Sequence, residues 1–325
     1  MLQNLLNISD LRRAELEHIL NVADDIADDP SRFGQVANGK ILATLFFEPS
    51  TRTRLSFESA MLRLGGSVIG FSDVSSSSTA KGESAEDTAM MVSCYSDIMA
   101  VRHPQMFMPH KMAKAAGVPI INAGDGANEH PTQTLTDLVT IQKRFGRLDN
   151  LTIGLCGDLK YGRTVHSLAK VLARYPSNRF VLIAPDELSM PHDIIEVFEQ
   201  SKNIGVTYTT TQNLESYIPE LDALYMTRIQ GERFEDKSEY ERLRGVYILD
   251  SAKMALASRD MIVMHPLPRV DEIAPEVDTD PRAWYFKQAQ MGVYARMALI
   301  IHLLNLNSMP GEDVIYVASK KYKTG

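Results

Sequence analysis

Short uninterrupted apolar runs alternate along this chain with longer stretches whose apolar residues recur every three or four positions. The run at 41–47 predicts a buried parallel strand, those at 67–71, 97–101 and 119–122 predict further strands, and the periodic stretches at 84–95, 108–116 and 131–145 predict helices between and after them. Near the start, Leu16, Ile19, Leu20 and Ala23 share one helical face, with Ser9 or Asp10 as the expected cap. The series then begins again. Strands are expected at 151–156, 179–184, 206–210, 223–227 and 261–264, helices at 164–174 and 193–200, and a long apolar helix at 285–304. Such alternation predicts an α/β fold of two domains, each with a central, mostly parallel sheet flanked by helices. The boundary is expected near 131–150, with the last helix packing back on the first domain. The tail, 308–325, has no helical period and ends in Lys-Lys-Tyr-Lys-Thr-Gly, as a disordered or vector-derived extension would.

Bulk properties narrow the function. With 325 residues, 44% hydrophobic and 23% charged, the chain has room for two ordinary globular cores. A net charge of -7 argues against a nucleic-acid partner, while leaving room for a local basic pocket that takes a small anion. Cys94 and Cys156 make no disulfide framework, and Cys156, inside an apolar run, is expected to be a buried inert thiol. The eight histidines show no metal-ligand spacing, so no metal and no cofactor are expected. The first helical region carries Asp10, Arg12, Arg13 and Glu15, unlike a signal-peptide core, and the most apolar segment, 297–304, is too short to span a bilayer. No membrane association is expected, and a cytoplasmic location is.

Candidate chemistry gathers at strand ends. Phe46-Phe-Glu-Pro-Ser-Thr-Arg-Thr-Arg54 runs from an apolar strand into a helical stretch marked by Leu55, Ala60, Met61 and Leu64. Free N–H groups and the positive end of a helix dipole, with hydroxyls and a guanidinium added, make a cage for a doubly charged anion such as phosphate. The same cluster also reads as a helix cap or a solvated surface. Four further strand ends carry polar groups: Arg102-His-Pro104, Gly124-Asp-Gly126 leading to His130-Pro-Thr-Gln133, Thr227-Arg-Ile-Gln230, and His265-Pro-Leu-Pro-Arg269. Gly157-Asp-Leu-Lys-Tyr-Gly-Arg163 leads into a helix but lacks the spacing of a dinucleotide fingerprint. Parallel sheets bind ligands at such ends.

These motifs, together with Lys81-Gly-Glu83 and His130-Pro-Thr-Gln-Thr134, resemble those of the aspartate/ornithine carbamoyltransferase family over roughly residues 1–307. Within it the chain is more similar to the aspartate-using branch: His265-Pro-Leu-Pro268 stands where ornithine enzymes carry His-Cys-Leu-Pro, and a Ser-Met-Gly loop is missing. The resemblance implies transfer of a carbamoyl group from carbamoyl phosphate to the α-amine of aspartate, a step of pyrimidine synthesis. Carbamoyl phosphate binding would fall to residues 1–135 with the helix 286–307, and aspartate binding to 150–285.

By the same resemblance, Ser50, Thr51, Arg52 and Thr53 would hold the phosphate. Thr53, Arg102 and His130 would polarise the carbonyl oxygen. Gln133 and the backbone carbonyls of Pro266 and Leu267 would accept from the carbamoyl NH2, and Arg163, Arg228, Gln230 and Leu267 would orient aspartate. Arg52, Thr53, Lys81, Arg102 and His130 would be the catalytic set. Ser77 and Lys81, on a serine-rich loop, would reach a neighbouring subunit's site in a homotrimer; Ala80-Lys81 replaces the family's paired lysines. Glu48, Glu232, Arg233 and Glu239 would latch domains or subunits, and a separate regulatory subunit is a possible partner. The competing expectations are a carbamoyltransferase for another amino acid or amine, and a non-catalytic anion-binding subunit.

Overall fold

The computed structural model describes residues 2–72, 82–231, 234 and 236–306. Ser77, Lys81, Glu232, Arg233 and the tail lie outside the described residues, as does the side chain of Glu239. The first half contains α1 (Arg13–Asp28), β1 (Ile41–Phe46), α2 (Thr51–Arg63), β2 (Ser67–Phe71), α3 (Ala85–Ser93), β3 (Ile98–His103), α4 (Met108–Ala115), β4 (Ile120–Asp125) and α5 (Pro131–Phe145). The second contains β5 (Thr152–Cys156), α6 (Arg163–Leu172), β6 (Arg179–Ile183), α7 (His192–Gln200), β7 (Thr207–Thr211), β8 (Ala223–Met226), α8 (Lys237–Leu243), α9 (Ser251–Met254), β9 (Ile262–Met264) and α10 (Tyr285–Leu303).

Two sheets result, ordered β2-β1-β3-β4 and β7-β6-β5-β8-β9, and all their pairings are parallel. The fold is therefore α/β with two parallel sheets. Central strands such as β1 are apolar because helices cover both faces, and Leu42, Ala43, Leu45 and Phe46 are all buried. The edge strand β7 is instead threonine-rich and half-exposed. In the first sheet, the edge strand β4 is fully buried, because the N-terminal segment lies along it. The Leu5 N–H donates to Ile120 and the Asn122 N–H donates to Leu5, at 3.0 and 2.8 Å.

Each sheet has one point where the strand order reverses, between β1 and β3 in the first and between β5 and β8 in the second. Loops after these strands diverge and leave a crevice at the carboxyl ends. The polar clusters after β1, β3, β5 and β8 are thereby carried to crevices. α10 packs on α1, α2 and α5, joining the end of the chain to the helices of the first sheet.

Two local expectations are corrected. Neither Ser9 nor Asp10 caps α1: the Asp10 carboxylate accepts from the N–H groups of Leu6 and Asn7 and closes a short 3-10 turn. Arg12 is the cap, with Glu15 accepting from its backbone N–H at 3.3 Å and from its guanidinium at 2.8 Å. The helices α8 and α9 were not anticipated; both are short, and each opens on an aspartate, Asp236 or Asp250, that accepts from a first-turn N–H. Cys156 is buried, and burial pushes its thiol pKa up.

Candidate active site

A cleft of about 760 Å³ lies between the carboxyl ends of the two sheets. Ser50, Thr51, Arg52, Thr53, Arg102, His130 and Gln133 reach it from the first sheet's loops and helices. Arg163, Arg228, Gln230, Pro266 and Leu267 reach it from the second. Every expected site residue that the structure describes lines this one cavity.

The phosphate cage is built by the turn from β1 into α2. Ser50 is the N-cap, yet its hydroxyl makes no capping hydrogen bond, so it is not consumed by the helix end. The first N–H groups of α2 stay open for an anion at the positive end of the dipole. Burial, and then the neighbouring Arg102 charge, lower the Arg52 pKa from its ordinary value without threatening its protonation.

Arg102 sits at the switch point of the first sheet, with Phe46 beside it in register. Its Nη2 pairs with Glu48 at 2.7 Å, Nη1 donates to the Ala123 carbonyl at 3.3 Å, and Nε is buried with no partner among the described residues. Gly124 makes room for the guanidinium: its φ is +117°, and a Cβ there would stand 2.7 Å from Arg102 Nη1.

His130 precedes α5 and is buried, with Nε2 3.4 Å from Thr53 Oγ1 and Nδ1 3.4 Å from Thr132 Oγ1. Burial, followed by the charges of Arg102, Arg163 and Arg296, drives its pKa well below the ordinary value. The ring is therefore neutral. Thr132 Oγ1 also accepts from Arg296 Nη2 at 3.4 Å, so one hydroxyl bridges the guanidinium and the imidazole.

The second sheet supplies the opposite wall. α6 begins at Arg163, whose Nη1 donates to the Gly126 carbonyl across the cleft. Arg228 and Gln230 follow β8, and the Gln230 N–H donates to Asp158 Oδ2 at 3.4 Å. Behind β9, His265 Nδ1 accepts from the Leu267 N–H at 2.8 Å while Nε2 meets Glu272 Oε1 at 2.6 Å. The pair fixes the carbonyl-bearing turn Pro266–Leu267, where Leu267 adopts a left-handed φ of +56°.

Arg296 and Gln288 on α10 also line the cleft and were overlooked as site residues in the sequence. The available signal was a lone arginine inside the apolar stretch 291–301. Arg296 is 4% exposed, stacks over the Phe57 ring at 5.0 Å, and has its pKa lowered by burial to about 10. Among the described residues lining the cleft there are five arginines and no carboxylate, and no group of three or more acidic, histidine or cysteine side chains is placed to hold a metal.

Comparison with known proteins bears on this geometry. Residues 3–143 match the model of the aspartate/ornithine carbamoyltransferase carbamoyl-P binding domain, and 149–303 match that of its Asp/Orn binding domain. The chain belongs to the aspartate/ornithine carbamoyltransferase family. Among carbamoyltransferases it is 57% identical over 304 residues to the aspartate carbamoyltransferase catalytic subunit of Finegoldia magna, covering 94% of this chain and 98% of that one. The solved catalytic subunit of M. jannaschii aspartate transcarbamoylase superposes with a TM-score of 0.87 at 45% identity, covering 94% of this chain and 98% of that one. The Trypanosoma cruzi aspartate transcarbamoylase, solved with N-(phosphonacetyl)-L-aspartic acid, gives 0.86 at 41% identity, covering 93% and 95%.

Proposed function

We propose that the chain transfers the carbamoyl group of carbamoyl phosphate to the α-amine of L-aspartate, giving N-carbamoyl-L-aspartate and phosphate. One observation carries the choice of acceptor: the cleft wall opposite the phosphate cage is lined by Arg163 and Arg228, with no carboxylate among the described lining residues. Two guanidiniums suit the two carboxylates of aspartate, whereas the side-chain ammonium of ornithine needs an anionic partner.

Residues 1–135 with α10 bind carbamoyl phosphate, and 150–285 bind aspartate. Ser50, Thr51, Arg52 and Thr53 hold the phosphate and take up the charge that grows on it as it leaves. Arg102, Thr53 and His130 donate to the carbonyl oxygen as the amine adds and the carbon becomes tetrahedral. The loss of one such donor costs about 3 kcal/mol of transition-state stabilisation. Gln133 and the carbonyls of Pro266 and Leu267 accept from the carbamoyl NH2. Arg163, Arg228 and Gln230 aim the amine. The cleft thus works by positioning and fixed charge.

The same reading places Ser77 and Lys81 of one subunit in the cleft of the next within a homotrimer, in the cytoplasm, at the aspartate step of pyrimidine synthesis. The exposed side chain of Leu55, which lines the cleft, supports a partner surface at its mouth. A separate regulatory subunit is a further proposed partner. Phosphate release measured with aspartate, ornithine and simple amines tests the acceptor. Aspartate is expected to dominate, and Arg228→Ala to raise its KM at least tenfold while carbamoyl phosphate still binds; a preference for ornithine would sink the assignment.

A further inference from the structure

Behind the cleft wall, the carboxyl of Asp137 collects donors from three elements. Gln133 Nε2, one turn earlier on α5, donates to Oδ1 at 2.8 Å. Gln288 Nε2 on α10 donates to the same oxygen at 2.6 Å, and the Tyr225 hydroxyl on β8 donates to Oδ2 at 3.0 Å. Asp137 is fully buried and is not among the residues lining the cleft. Gln288 passes the constraint on, because its Oε1 accepts from the backbone N–H of His265 at 2.8 Å, where the Pro266–Leu267 turn begins.

A primary amide has a donating end and an accepting end. A carboxylate that takes the NH2 end of Gln133 leaves Oε1 as the end available to the cleft. A rotated amide would put oxygen against the carboxylate and present N–H groups to a substrate NH2, a clash at both ends. We propose that Asp137 is a positioning residue: it holds the Gln133 amide with its oxygen toward the carbamoyl NH2 and, through Gln288, keeps the carbonyls of Pro266 and Leu267 in place around the same group. The inference rests on the carbamoyl-transfer reading above. Burial, partly offset by the three hydrogen bonds, pushes the Asp137 carboxyl up to about 7.

A double-mutant cycle on the intact chain separates this role from a merely structural one. The carbamoyl phosphate Kd is read by calorimetry and KM by steady-state assay. Gln133→Ala and Asp137→Ala are each expected to raise both about tenfold with a smaller change in kcat, and the double variant to stay well below their product, any excess over tenfold being the part that runs through Gln288. Multiplication to about a hundredfold in the double variant, or an unchanged affinity in Asp137→Ala, overturns the inference.

If Asp137→Ala does not fold, Asp137→Leu takes its place, filling the buried space while removing both acceptor oxygens. It is expected to weaken carbamoyl phosphate binding about tenfold, with Gln133→Ala adding less than its own effect to it. Wild-type affinity in Asp137→Leu overturns the inference. A wild-type chain that does not bind carbamoyl phosphate overturns both readings, whereas an active wild type with an additive cycle overturns the positioning role alone.

Discussion

At the scale of single residues, the cleft depends on keeping His130 neutral while crowding it with cations. Burial and the charges of Arg102, Arg163 and Arg296 all disfavour the imidazolium. In 15N-labelled protein the His130 ring is expected to show a neutral pattern at pH values where an ordinary histidine has already gained its proton. A titration at or above the ordinary value would contradict it. The sign carries to stability. The unfolded chain takes up a proton near the ordinary histidine value and the folded chain refuses it, so this residue makes folding less favourable as pH falls through that value. Little of this was visible in the sequence. His130 stood out as a polar residue at a strand end, but its surroundings depend on Thr132 and Arg296, which are 164 positions apart. Asp137 and Arg296 looked like polar interruptions of apolar helices, because their partners come from other elements.

At the scale of elements, the turn between β5 and α6 shows how a loop of weak sequence signal is specified. Gly157 has φ +117°, and a Cβ built on it would lie 2.3 Å from the Thr227 carbonyl at the end of β8. The backbone that leads to Arg228 is thus packed directly on this glycine, and the Thr227 hydroxyl accepts from the Asp158 N–H at 2.9 Å. Gly157→Ala is expected to cost about 3 kcal/mol, a fall of about 5 °C in thermal midpoint, and to raise the KM for aspartate more than that for carbamoyl phosphate. Equal effects on the two would show that β8 does not transmit the strain. The sequence pattern located the central parallel strands because strands covered on both faces must be apolar on both. It missed α8 and α9, which are too short to show a helical period and owe their starts to Asp236 and Asp250. It also misplaced the start of α1, since Asp10 satisfies a turn ahead of the helix and an arginine serves as the cap.

For the whole molecule, the two switch points face one cleft, so neither sheet alone presents both a phosphate cage and the paired arginines. The expected homotrimer extends that logic, since Lys81 of one subunit would complete the cleft containing Arg52 of another. Cyclic symmetry makes the consequence countable. When inactive Lys81→Ala and Arg52→Ala chains are dissociated, mixed equally and reassembled at random, about three quarters of the trimers contain both chains, and each of these carries one cleft built from two intact parts. Recovered activity is therefore expected at about one quarter of the wild-type value, with the parent preparations inactive. Verified mixed trimers that stay inactive would mean that Lys81 serves the cleft of its own subunit, because both substitutions would then disable every cleft whatever the composition of the ring.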